Sequence, residues 1–259
     1  MPQIHLHAES GDYASVCLLP GDPNRATRIA ARFDGGLEGS KLVSDHRGLL
    51  GYTGTVDGVP VSVQTTMMGS PTTSIVMEEL INLGVTTFIR VGTTGGFGSL
   101  GIGDAVVALS AAGAAGISTV LGGGEPTAPT ADWDVAQALV EASRANGLMT
   151  HAGPVVTSDV FYDPHPDGVA RWGRRGYLCV EMETAAVYLL AMRERAKGTP
   201  VRAGSILTVS DIIADSTLAE VARKLGTESW FRPPEDEVTR RVDLTIGAAM
   251  AAAARLGRA

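Results

Sequence analysis

Charged side chains follow short apolar runs at four points in the sequence. The four segments are 21–25, 90–96, 181–183 and 210–211. Apolar runs of this length, bounded by glycine or proline, are typical of buried strands. Polar groups at these strand ends exceed what a structural role requires, so the segments are the first candidates for chemistry.

The first two segments suit an anion. Gly21 lies in a turn before a helix start, and Arg25 follows one turn later. Glycine allows an anion close to the backbone, while free N–H groups and a guanidinium fork suit phosphate. Arg90 lies inside an apolar run and is costly to bury unless it meets an anion or a carboxylate; the hydroxyl of Thr93 follows it. An ordinary turn with a surface arginine, and a buried structural ion pair, remain alternatives.

The other two segments carry carboxylates. Glu181 and Glu183 flank Met182 at a strand end. Such carboxylates could hold vicinal hydroxyls while the methionine packs against a sugar face, although acids at a helix start are also favoured by the macrodipole alone. Asp211 ends another apolar run. An aspartate partly removed from water holds its proton more readily and can act as a general acid, and a plain helix cap is the alternative.

Composition excludes several classes of function. The 259 residues carry 21 Lys+Arg against 28 Asp+Glu, a net charge of −7, and 44% are hydrophobic. An acidic chain of this size predicts a globular protein that binds neither nucleic acid nor an anionic membrane. Cys17 and Cys179 cannot form a disulfide framework or a cysteine zinc site, and the five histidines lack metal-ligand spacing. With no visible signal peptide or membrane span, we expect a cytoplasmic enzyme or binding protein without a metal.

Strand and helix patterns alternate along the whole chain. Strands are predicted at 16–19, 49–55, 59–65, 88–91, 105–109, 155–156, 177–180 and 206–209. A hairpin is predicted at Asp57-Gly58. Helices are predicted at 23–33, from 70, at 132–146, after 181 and at 234–256. This order predicts a single α/β domain, residues 1–259, with a mixed central β-sheet flanked by helices.

Seven motifs in order extend from the first glycine turn to the last carboxylate. They are Pro20-Gly21-Asp22-Pro23-x-Arg25-Ala26, His46-Arg47-Gly48 before Gly51-Tyr52-Thr53-Gly54, Met68-Gly69-x-Pro71, Arg90-Val91-Gly92-Thr93-Thr94-Gly95, Ser158-Asp159-x-Phe161-Tyr162, Val180-Glu181-Met182-Glu183 and Val209-Ser210-Asp211. From His5 to about Asp211 the chain resembles the purine nucleoside and uridine phosphorylase superfamily, and it is most similar to the hexameric purine type. The resemblance implies the nucleoside phosphorylase fold.

The resemblance also implies a role for each matching residue. Phosphate would be bound by Gly21, Arg25, Arg90, Thr93 and, lent across a subunit interface, Arg47. Ribose would be bound by Met68, Met182, Glu183 and a similarly lent His5. The base would lie against Thr94, Gly95, Phe161, Val180 and Glu181. Asp211 would protonate the imidazole nitrogen of the purine, helped by a helix cation for which Arg223 and Lys224 are both candidates.

The implied activity is phosphorolysis of purine (2′-deoxy)ribonucleosides, with 5′-methylthioadenosine as a further candidate, to free base and (deoxy)ribose 1-phosphate. Inorganic phosphate would be a co-substrate, no cofactor is implied, and a dimer-based homo-oligomer, expected to be a hexamer, would share its sites. Breaking the glycosidic bond builds positive charge on the sugar and negative charge on the base, which a phosphate dianion and a protonated aspartate would stabilise.

Three alternatives remain open. The uridine-specific branch reads uracil with a Gln-x-Arg pair after the Phe161-Tyr162 motif, and residues 163–167 contain no such pair. A nucleosidase would use water, and its relatives generally lack the phosphate arginines that match Arg25 and Arg90. A nucleoside-binding protein on the same fold would need no reaction. Ile212 departs from the purine type, which often has a histidine after its Ser-Asp pair.

Overall fold

A computed structural model describes residues 2–114, 116–165, 168–213, 230–231 and 234–258. Within these ranges the strands are β1 Val16–Leu19, β2 Lys41–Ser44, β3 Gly51–Val56, β4 Val59–Gln64, β5 Thr87–Gly96, β6 Ala105–Ala114, β7 Thr150–Ser158, β8 Cys179–Glu181, β9 Arg202–Ile213 and β10 Trp230–Phe231. They form one sheet in the order β10-β9-β6-β7-β8-β5-β1-β4-β3-β2. Because β5 also pairs with β9, the strands β5, β8, β7, β6 and β9 close into a ring.

Helices cover both sides of the sheet. The described ones are α1 Pro23–Ala30, α2 Ser70–Asn82, α3 Gly116–Leu121, α4 Trp133–Ala145, α5 Ala170–Gly173, α6 Thr184–Ala196 and α7 Glu235–Arg258, with a short 3₁₀ helix at His46–Gly48. One apolar cluster packs α1, α4 and α7 against the sheet, and a second packs α2 and α6. The predicted α/β architecture with a mixed central sheet is confirmed. No described helix has the length and apolar character needed to cross a membrane.

Local sequence signals explain two elements near the site. Helix α1 begins at Pro23, and the side chain of Asp22 accepts a hydrogen bond of 2.9 Å from the backbone N–H of Asn24. This is the arrangement that an N-cap and a first-turn proline favour. The hairpin between β3 and β4 has φ angles of 49° at Asp57 and 74° at Gly58. Positive φ at both central residues matches the expected two-residue turn.

Several strand boundaries differ from the sequence prediction. Strand β6 continues five residues past the expected end at Leu109, to Ala114, and β9 runs from Arg202 to Ile213. The extra residues of β6 are small and have low strand propensity, but their pairing with β7 extends the strand. The mostly exposed edge strand β2 was not predicted, because it has no continuous apolar run.

The four polar segments meet at one edge of the sheet. Strands β1, β5 and β9 are parallel, so their carboxyl ends lie on the same side. Strand β8 runs antiparallel to β5 and pairs Val180 with Gly95 at this end. Helix α6 starts directly after β8. This edge therefore gathers side chains from β1, β5, β8 and β9.

Candidate functional site

A buried arginine lies between two carboxylates at the centre of this edge. Arg90 is 4% exposed; its Nε donates to Glu181 Oε2 at 2.8 Å, and its Nη2 forms an ion pair with Glu183. A methyl group at Gly92 would lie 2.8 Å from Nη2, so glycine leaves room for the guanidinium. Burial opposes the charge, but Glu183 and Glu181 outweigh it and raise the pKa of Arg90. The structural ion pair considered above is present, and it includes both carboxylates.

Glu181 is fully engaged by protein donors. Its two oxygens accept from Arg90, from the hydroxyl of Thr157, and from the backbone N–H groups of Glu183 at 2.9 Å and Thr184 at 2.9–3.0 Å. The carboxylate thus orients Arg90 and binds the first N–H groups of α6. This geometry does not favour the expected contact between Glu181 and a base, because each of its carboxylate oxygens already accepts from two or three donors.

Two of the residues expected to hold ribose, Met182 and Glu183, bond to the loop that follows Met68. The backbone N–H of Gly69 donates to Glu183 Oε1 at 2.6 Å, and the hydroxyl of Ser70 donates to the carbonyl of Met182 at 2.8 Å. Gly69 has a φ of 94°, which favours glycine. Burial raises the pKa of Glu183, although Arg90 acts in the opposite direction. Met68, the residue before Gly69, is 81% exposed.

A second guanidinium lies next to Arg90 and is incompletely paired. Arg25 Nη1 donates to the carbonyl of Val91 at 3.1 Å. Its Nε is buried and has no hydrogen-bond partner among the described residues. Burial lowers the pKa of Arg25 to about 10, and the charge of Arg90 adds to this effect. Two neighbouring cations and an unsatisfied buried donor are what an anion would stabilise.

Gly21 lies where the backbone passes close to the loop at Met67. Gly21 lies between β1 and α1, and a methyl group there would come within 3.1 Å of the carbonyl oxygen of Met67. Thr93 is half-buried on β5, three residues after Arg90. Both positions are close in sequence to the two arginines. Their phosphate contacts remain predictions.

The expected base pocket and general acid are neighbours in the sheet. The hydroxyl of Thr94 donates to the carbonyl of Val180 at 2.6 Å. Gly95 pairs with Val180 on one side and with Asp211 on the other. A methyl group at Gly95 would lie 3.0 Å from Asp211 Oδ2, while Ser210 donates to Asp211 Oδ1 at 2.7 Å. The second carboxylate oxygen of Asp211 therefore lies over a glycine.

The aromatic residue expected to stack on the base is largely exposed. Phe161 is 63% exposed and packs edge-on against Tyr162, with ring centres 5.0 Å apart. Its ring is therefore not buried with the charged residues, and its stacking on a base remains a prediction. Arg223 and Lys224, the candidate helix cations, lie outside the described residues.

His5 and Arg47 belong to a separate surface unit. The ring of His46 bonds through Nδ1 to the carbonyl of His5 at 2.9 Å and stacks on His7 at 3.7 Å. Arg47 follows, exposed and with a φ of 56°. Glu79 of α2 receives the ring and backbone N–H groups of His5. Sequence reasoning missed Glu79, because no local pattern links it to a residue 74 positions away.

The described residues hold no group of three or more His, Cys, Asp or Glu side chains placed to bind a metal ion. Both cysteines are buried free thiols. Burial raises the pKa of Cys179 to about 12 and also raises that of Cys17. Thiols of this kind are poor nucleophiles. The polar side chains that the described structure brings to this edge are carboxylates, guanidinium groups and hydroxyls.

Comparison with known proteins identifies the family of this chain. A family model described as the phosphorylase superfamily matches residues 15–231. A Geobacillus sp. protein named purine nucleoside phosphorylase DeoD-type is 43% identical over 212 residues, which cover 81% of this chain and 86% of the relative. A Clostridium perfringens protein of the same name is 42% identical over 221 residues, covering 84% and 91%. A Roseobacter denitrificans protein of that name is 41% identical over 210 residues, covering 80% and 86%. The range matched by the family model contains every candidate residue except His5.

Proposed function

Because the chain belongs to the phosphorylase superfamily, we propose that it catalyses the phosphorolysis of purine nucleosides. The products are the free purine and ribose 1-phosphate or its 2-deoxy form. The observation that carries the proposal is the paired guanidinium groups of Arg25 and Arg90 beside the buried Glu183. The names of the relatives support the purine class.

Inorganic phosphate is the nucleophile in this proposal. It lies against Gly21, where the absence of a side chain lets an anion approach the backbone closely. Its charge satisfies the buried Nε of Arg25 and compensates the repulsion between Arg25 and Arg90. Thr93 adds a hydroxyl, and Arg47 of a neighbouring protomer completes the site.

Glu183 holds the sugar. Its carboxylate accepts the ribose hydroxyls, and Met68 and Met182 pack against the ring. As the glycosidic bond breaks, positive charge on the sugar lies between the phosphate dianion and this carboxylate, which both stabilise it. Arg90 contacts Glu183 directly, so phosphate binding and sugar binding share one charged group.

Asp211 gives a proton to the leaving base. Thr94, Gly95 and Val180 line the base pocket beside it, and Phe161 covers the base from the exposed side. A protonated carboxyl neutralises the negative charge that would otherwise develop on the purine, and general acids of this kind contribute about 10²–10⁴-fold.

Shared sites imply an oligomer, which we propose to be dimer-based and hexameric. Gly69 at the start of α2 bonds to Glu183, while Glu79, nine residues after Ser70 on the same helix, bonds to His5. Nine residues of helix span about 14 Å. This separation supports a role for His5, with the linked Arg47, in the site of a neighbouring protomer. A cytoplasmic location remains a prediction.

The test is base release from inosine, adenosine, guanosine, 5′-methylthioadenosine and uridine, each with and without phosphate. We expect purine release that requires phosphate and yields a pentose 1-phosphate. Release at the same rate without phosphate, giving free ribose, would identify a nucleosidase. A preference for uridine would identify the pyrimidine branch, and no release from any substrate would favour a binding protein.

A further inference from the structure

A buried carboxylate, Glu79, helps to hold the N-terminal segment to the body of the protein, together with His46 and the buried side chain of Leu6. Glu79 is 7% exposed and receives four contacts from two consecutive residues. The backbone N–H of His5 lies 3.0 and 3.1 Å from its two oxygens, the N–H of Leu6 lies 2.8 Å from Oε2, and Nδ1 of His5 lies 2.7 Å from Oε1. Chain termini are poorly ordered unless such contacts hold them.

The same contacts determine how the histidine ring is presented. These donors outweigh the effect of burial and lower the pKa of Glu79. An ionised carboxylate only accepts hydrogen bonds, so Nδ1 of His5 must carry the proton that it donates. In the neutral ring the other nitrogen, Nε2, is then an acceptor. The His5 side chain is 31% exposed, so it remains accessible.

From this geometry we infer that Glu79 is a positioning residue. It orients His5 so that the Nε2 atom of His5 accepts a hydrogen bond from the 5′-hydroxyl group of the sugar. The inference rests on the proposed function, in which His5 serves the 5′ position of ribose. A 5′-hydroxyl can donate to Nε2, whereas a 5′-deoxy or 5′-methylthio group has no proton to donate. Glu79 therefore biases the enzyme towards nucleosides that keep the 5′-hydroxyl.

The matched control is the preceding residue of α2. Glu78 has the same side chain on the same helix, but its carboxylate pairs with Arg193 of α6. Glu78→Gln removes one carboxylate charge without touching His5. Glu79→Gln keeps the shape of the side chain and replaces one acceptor oxygen by an NH₂ donor, which cannot accept from Nδ1 or from the backbone N–H groups.

The experiment measures kcat/KM for a purine nucleoside and for its 5′-deoxy analogue, with saturating phosphate. We expect the wild-type protein and Glu78→Gln to favour the 5′-hydroxyl compound by about tenfold, the worth of one net hydrogen bond. Glu79→Gln and His5→Ala should each bring this ratio close to one, mainly by lowering kcat/KM for the 5′-hydroxyl compound. The double variant should show no further change in the ratio, because both substitutions remove the same contact.

A purely structural role for Glu79 would lower both rates equally and leave the ratio unchanged, which would overturn the inference. If Glu79→Gln does not fold, Glu79→Asp keeps the charge but shortens the reach, and an unchanged ratio in that variant would overturn the inference equally. An unaltered ratio in His5→Ala would also contradict it. In each of these cases, phosphate-dependent base release by the wild-type protein would leave the proposed function standing.

Discussion

Substitution of Arg25 should affect protein stability and phosphate binding in different directions, so it separates a structural role from a functional one. The pKa of Arg25, lowered to about 10 by burial and by the charge of Arg90, corresponds to a net cost of about 3 kcal/mol for the charged form. Methionine has a similar length and no charge, so Arg25→Met removes this cost and the unsatisfied Nε together. We expect an unchanged or higher Tm, by about 2–4 °C for each kcal/mol relieved.

The same substitution should weaken phosphate binding. A hydrogen bond to a charged group contributes about 1.5–3 kcal/mol, which corresponds to a rise of roughly 10- to 150-fold in the KM for phosphate. Two assays measure the effect: the phosphate dependence of base release, and the rise in Tm caused by added phosphate. The second needs no catalysis, because a ligand at about 100 times its Kd stabilises a protein by about 2.7 kcal/mol.

Arg28→Met is the control on the same helix. Arg28 forms an ion pair with Asp243 of α7 and donates to the carbonyl of Thr239 at 3.1 Å. Its loss should lower Tm slightly and leave the KM for phosphate unchanged. If Arg25→Met behaves in the same way, with a lower Tm and normal phosphate dependence, Arg25 is a structural residue and the anion site is wrongly assigned.

Three further predictions concern the rest of the site. Glu181→Gln should raise the KM for phosphate by about tenfold or more and lower Tm, because it removes one of the two carboxylates that hold Arg90 and weakens the hydrogen bonds to the start of α6. An unchanged KM for phosphate would contradict the positioning role. Asp211→Asn should slow the release of ordinary purines by about 10²–10⁴-fold. The release of a base that already carries positive charge, as in 7-methylguanosine, should slow much less. Equal slowing of both substrates would exclude a general acid. Co-expressing His5→Ala and Asp211→Asn chains should restore about a quarter of wild-type activity. Half of the randomly formed dimers would be hybrids, and each hybrid would have one intact site out of two. No restoration would place His5 in the site of its own chain.

Arg90 shows why a substitution must be chosen from the structure. Replacing Arg90 by alanine would leave Glu181 and Glu183 buried without their cation, and breaking a buried pair in this way costs about 3–5 kcal/mol. Loss of activity in that variant would therefore report unfolding as readily as loss of phosphate binding. Arg25 lacks this difficulty, because its described hydrogen bond goes to one backbone carbonyl.

Residue types and local order predicted the α/β fold class and the polar strand ends, whereas the assigned chemistry depended on the resemblance of seven ordered motifs to a known family. Apolar runs followed by glycine predicted strands at this edge, and the Asp57-Gly58 turn and the start of α1 followed from backbone preferences of a few adjacent residues. The same reasoning selected Arg90 and Asp211 as candidates, because a charge in or after a buried run is costly without a partner, and it selected Arg25 because it follows a glycine turn; their roles remain predictions.

Only the tertiary structure decided which group each charge meets. Glu181 was expected beside a base and instead holds Arg90, 91 positions away, and Glu79 was not expected at all. The sequence determined which side chains could carry charge or donate protons, since that is a property of each residue. Their partners depend on contacts between distant elements, because burial and hydrogen bonding arise only when the strands and helices have packed.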